Sequence, residues 1–195
     1  KMSENLSTTV VVNNEITSRV LPHYDAKTLS LLNLERLKLL VEFEIGKVKE
    51  EIVIHPNQTE CAKNVINKIN NPSIICTLIT ALTQSGKGGT KCALIKEYLE
   101  QGNLIEIENI YVITGLSDRE WKRQMKGRLP ESIQPRVYHR DNLLTNFIED
   151  VKDKKNILLI IDEIQIAAQE RQTLFNVFDK AGFYNKQNLL NNDIK

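Results

Sequence analysis

Short runs of almost unbroken apolar residues punctuate this chain: SIICTLITAL (Ser73 to Leu82), NIYVIT (Asn109 to Thr114) and NILLIID (Asn156 to Asp162). A strand that is apolar on both faces needs cover on both faces. Such strands, spaced by helical segments of 10–15 residues, are the mark of a mainly parallel sheet sandwiched by helices. The spacers fit. TECAKNVINKI (Thr59 to Ile69), GGTKCALIKEYLEQG (closed by Gly102) and SDREWKRQMKGRL (Ser117 to Leu129, with Ser117 as N-cap) read as helices. So do DNLLTNFIEDVKD, capped by Asp141, and QERQTLFNVFDKAG, while RVYH reads as a short strand. The fold class is therefore α/β, and its ligands are expected beyond the carboxyl ends of the strands.

Residues 1–53 stand apart from this alternation. A polar arm carries one β-branched run, Thr8 to Val12, and a turn near Pro22; a long amphipathic helix follows from Asp25 to about Val53. Leu29, Leu32, Leu37, Leu40 and Phe43 recur there at helical spacing, with an interruption expected near Gly46. Residues 54–195 form the main domain. Basic and acidic residues number 26 and 25, so any polyanion must be held by a local patch rather than by overall charge. No apolar run reaches the ~18 residues of a membrane span, and the first residues lack a signal-peptide layout. The three cysteines (Cys61, Cys76, Cys92) and three histidines (His23, His55, His139) show no metal-ligand spacing. The cysteines read as reduced, mostly buried thiols in an intracellular protein that is not secreted.

Two strand ends carry chemistry. After the first run comes ALTQSGKGGTK (Ala81 to Lys91), in which Lys87 stands where a strand turns into a helix. Backbone N–H groups at such a turn cradle phosphate, and the lysine neutralises it. After the last run come Asp162 and Glu163, two carboxylates that packing alone does not explain. A cation would explain them: Asp162 holds Mg²⁺ through water, and Glu163 polarises the water that attacks a γ-phosphate.

These strings resemble superfamily 2 helicases and translocases. A-L-T-Q-S-G-K is similar to their motif I, and D-E-I-Q to their motif II. HPNQTECAKNVI (His55 to Ile66) is similar to the glutamine element upstream, with Gln58 and Glu60 in place and His55 where arginine is usual. YVITGLSDREWKRQ (Tyr111 to Gln124) is similar to motif Ia. The combination also resembles helicase-like proteins of large DNA viruses. The resemblance covers roughly 54–182. It implies a RecA-like domain that binds ATP and Mg²⁺ through Thr83, Gln84, Ser85, Gly86, Lys87, Gly88, Gly89 and Thr90, with Gln58 on the adenine. It further implies contact with nucleic acid, DNA more than RNA, through Thr114, Ser117, Arg119, Lys122 and Arg123. Trp121 reads as a core residue rather than as a base-stacking platform.

The pattern also departs from the family. Gly88 replaces the serine or threonine whose hydroxyl binds Mg²⁺, and Thr90 points roughly 200° away from it on an ideal helix. Impaired metal binding is expected, with Gly88→Thr restoring the ligand. The sequence ends at NNDIK before a third motif, and a second RecA-like domain is expected in the full-length protein. Two other readings remain open: the ATPase of a viral packaging terminase, and a catalytically weak P-loop binding module.

Overall fold

The computed structural model describes residues 7–12, 24–71, 74–80, 86–164 and 172–195. Helix α1 (Ala26–Val48) starts where Asp25 accepts the Thr28 N–H at 2.7 Å, a side-chain cap for an otherwise orphan donor. Leu32, Leu39 and Phe43 form its buried stripe. The leucine series mixes two faces, since Leu29 and Leu37 are exposed together with Leu34, Val41 and Ile45. Gly46 does not interrupt the helix: the Ile52 side chain packs where a Cβ would stand.

Helix α2 (Pro56–Ile69) leads to β2 (Ile74–Thr80), and α3 (Lys87–Glu100) follows the glycine loop. Strand β3 (Ile110–Thr114) leads to α4 (Arg119–Gly127), which Asp118 caps by accepting the Glu120 N–H. The expected cap at Ser117 is thus displaced by one residue, to a carboxylate that complements the helix start better than a hydroxyl does.

Strand β4 (Val137–Tyr138) is followed by α5 (Arg140–Asn142), a π-helical turn over Leu143–Phe147, and α6 (Ile148–Val151). The single helix expected there is present without a gap over residues 140–151, with the π turn widening it in the middle. Asp141 lies in its first turn, and His139 occupies the cap position. Strand β5 (Leu158–Asp162), α7 (Thr173–Lys180) and α8 (Lys186–Asn191) complete the described elements.

Strands β4, β3 and β5 form a parallel sheet in that order, with Val112 opposite Val137 and Thr114 opposite Asp162. Alternate residues of β3 enter different cores. Ile110 and Val112 pack with α1 to α4, whereas Tyr111 and Ile113 pack with Phe147, Leu174 and Val177. The α/β layering expected from the apolar runs is present.

β2 departs from the expected single parallel sheet. It pairs antiparallel with β1 (Ser7–Val12), Thr8 opposite Ile79 and Thr9 opposite Leu78. An apolar run fits either pairing direction, so composition could not decide this. Between β2 and β5 lies a cleft of about 540 Å³, lined by Leu78, Ile79, Leu159 and Ile161 among others. At its floor the chain returns: Ile194 bridges Ile157, and Leu159 N–H donates to the Lys195 carbonyl at 2.8 Å. No helix among the described residues is long and apolar enough to cross a membrane.

Candidate functional site

Gly86 introduces α3 with φ +80°, a left-handed conformation that glycine adopts without strain. Behind it stands Gln58 of α2, almost fully buried. Its carboxamide oxygen accepts the His55 N–H at 2.8 Å, and its NH₂ donates to the Gly86 carbonyl at 2.8 Å. The glutamine thus ties the start of α2 to the glycine loop. A Cβ at Gly89 would collide with that carboxamide, and one at Gly88 with the Arg128 guanidinium. A side chain at position 89 must therefore displace the hydrogen-bonded Gln58 amide, whereas one at position 88 need only turn aside the far end of the Arg128 side chain. Gly89→Ala is expected to expel the Gln58 amide and lower stability by roughly 1–2 kcal/mol, read from the urea midpoint at unchanged m-value.

Thr83, Gln84 and Ser85 lie outside the described residues, as does the side chain of Lys87. Thr90 is buried, and its hydroxyl has no hydrogen-bond partner among the described residues.

Asp162 ends β5 at the mouth of the cleft, and Glu163 follows it with φ +51°. Glu50, Asp153, Asn156 and Asp193 share this left-handed conformation, which at Glu163 turns the chain sharply out of the strand. Two donors converge on one oxygen of Asp162. Lys91 Nζ of α3 lies 2.5 Å from Oδ2, and the Trp121 indole N–H of α4 donates to the same atom at 2.8 Å. Both members of the ion pair are largely buried, and the Lys91 ammonium stands 5.9 Å from the Trp121 ring centre.

The described residues assemble no ligand set for a directly coordinated Mg²⁺. Position 88 offers no hydroxyl, Asp162 Oδ2 already accepts from Lys91 and Trp121, and the described residues contain no cluster of three His, Cys, Asp or Glu able to hold a metal.

The sequence did not single out Lys91 or Arg128, and it read Trp121 as a core residue. A signal for Lys91 existed: it follows Lys87 by one helical turn and so shares its face. Trp121 does pack against the core, as expected, but its indole N–H serves the acidic strand end.

The residues expected to touch nucleic acid divide. Thr114 is fully buried, and its hydroxyl accepts the Leu116 N–H at 3.2 Å, so it shapes the turn and presents nothing to a partner. Lys122 is half-buried and donates to Asn142 Oδ1 at 3.2 Å. Ser117, Arg119 and Arg123 are exposed, although Arg123 pairs with Glu120 at 2.6 Å and pulls that carboxyl down to about 2.

Cys61 and Cys92 are buried as expected, and burial pushes the Cys92 thiol up to about 12; Cys76 is exposed. No family model, curated protein or solved structure matches the chain.

Proposed function

We propose that this chain is a nucleotide-binding domain of the helicase or translocase type, with the loop preceding α3 as its phosphate cradle. One observation carries the reading. Lys91 on α3 bonds Asp162 at the end of β5, which brings the glycine-loop helix and the acidic strand end together although they lie 71 residues apart. Backbone N–H groups at the start of α3 and the Lys87 ammonium would hold the phosphates of ATP. Gln58 would keep the loop curled from behind. Glu163, on its left-handed backbone, would orient the attacking water.

Substituting Lys87 with alanine removes a charge-assisted contact of roughly 1.5–3 kcal/mol, so ATP affinity should fall by about tenfold or more. Calorimetry measures this directly, and an unchanged dissociation constant would overturn the assignment.

The engaged state of Asp162 favours a second reading, a P-loop module that binds nucleotide with little turnover. Phosphate release under single-turnover conditions separates the two: the motor reading needs turnover, whereas the module needs only binding. A nucleic-acid partner is proposed through Arg119 and Arg123, by backbone contact. Reversing both charges should lower the magnitude of the salt slope of single-stranded DNA binding by about one to two. A slope that stays the same would exclude α4 from that interface.

A further inference from the structure

We infer that Lys91 supplies, from within the chain, the positive charge that a metal ion would bring to Asp162, so that phosphate binding at the start of α3 does not depend on Mg²⁺. The inference rests on the nucleotide reading above and concerns the ionic requirement of that same site.

Mg²⁺ demands near-octahedral oxygen ligands at about 2.0–2.1 Å and gives up its waters reluctantly. To take Oδ2 of Asp162 it would have to displace an ammonium at 2.5 Å and an indole N–H at 2.8 Å. To approach through water it would have to sit beside a fixed positive charge in surroundings that screen little. Lys91 is only 7% exposed, and its counter-charge Asp162 is held from a second side by Trp121. The first turn of α3 compounds the exclusion, because Gly88 has no side-chain oxygen to offer and the Arg128 guanidinium lies against it. The site is thus built with cations on the protein: Lys91 on the acidic strand end and Arg128 over the helix start. An anion entering there meets an Asp162 carboxylate whose charge Lys91 already balances.

Trp121 makes the test direct, for it is the only tryptophan in the sequence and its indole N–H reports on Asp162. The unmodified protein is titrated with millimolar MgCl₂ against a KCl control of equal ionic strength, and the indole ¹H–¹⁵N resonance is followed. ATP affinity is measured by calorimetry with Mg²⁺ and with EDTA. The inference expects an indole resonance that Mg²⁺ leaves in place, and ATP dissociation constants that agree within about twofold. In Lys91→Met, Mg²⁺ should move the resonance and tighten ATP by about tenfold or more.

A saturable Mg²⁺ shift in the unmodified protein, or ATP binding tightened about tenfold by Mg²⁺, overturns the role of Lys91 and leaves the nucleotide reading standing. Absence of ATP binding in both conditions, with an unmoved indole, overturns the nucleotide reading itself and the metal-independent binding with it. The unmodified protein decides the matter even where Lys91→Met does not fold.

Discussion

Lys91→Met is expected to destabilise the folded protein by roughly 3–5 kcal/mol, because it takes the Lys91 ammonium away from a largely buried Asp162 carboxylate. Methionine keeps the length and most of the apolar stem, so lost packing contributes little. The indole N–H of Trp121 remains, but a neutral hydrogen bond does not replace an ammonium beside a buried carboxylate. For a chain of this size each kcal/mol moves the melting temperature by roughly 2–4 °C, so the loss is easily read.

The diagnostic comparison is the double substitution with Asp162→Asn, which removes the charge while keeping an acceptor for Trp121. The double variant should recover much of the loss, giving a coupling energy well above the ~0.5 kcal/mol scatter of independent sites. A loss below about 1 kcal/mol for Lys91→Met would mean that solvent screens the pair as it does an ordinary surface ion pair. Lys91 would then not act as the buried counter-charge of Asp162.

Phe147→Ala should cost about as much, roughly 3–5 kcal/mol, for a different reason. Phe147 is fully buried at the end of the π-helical turn and meets Tyr111 edge-on at 5.5 Å and Tyr138 at 5.8 Å. These rings form the centre of the core on the face of the sheet away from α1 to α4. Removing the phenyl group opens a cavity among rigid aromatic neighbours that cannot collapse into it. Leu34→Ala on the exposed face of α1 is the control, with an expected change within about 0.5 kcal/mol. Urea unfolding of both variants measures the difference. Because the two cores share β3 and β5, the Phe147 variant should still unfold in one transition when followed by Trp121 fluorescence.

How much of this was legible beforehand follows from the kind of signal involved. Apolar runs give strands, and helical periodicity gives helices, because both are local consequences of burial. The runs over Ile110–Thr114 and Leu158–Asp162 accordingly stand side by side in a parallel sheet. The run over Ile74–Thr80 has the same composition but pairs antiparallel with the arm. Pairing direction is decided by the connection and by the neighbour available, and neither is written in the strand itself.

The acidic strand end and the glycine loop could be found because charge beside a core and glycine before a helix are conspicuous. Their actual partners were hidden. Lys91 looks like any lysine on a helix, and Arg128 lies 40 residues from the glycine it covers. Only the packing of α3 against β5 and α4 turns them into parts of one site. At α4, Ser117 and Asp118 are adjacent residues with similar capping preference, and geometry alone chose Asp118.

The return of the chain to β5 has a consequence for association with other chains. Lys195 contributes its backbone N–H and carbonyl to the ladder with Ile157 and Leu159, and it lines the cleft beneath β2. The edge of β5 away from β3 is thus covered between Ile157 and Leu159. Fewer backbone N–H and C=O groups stay unpaired there, so that edge offers little on which another chain could add a strand.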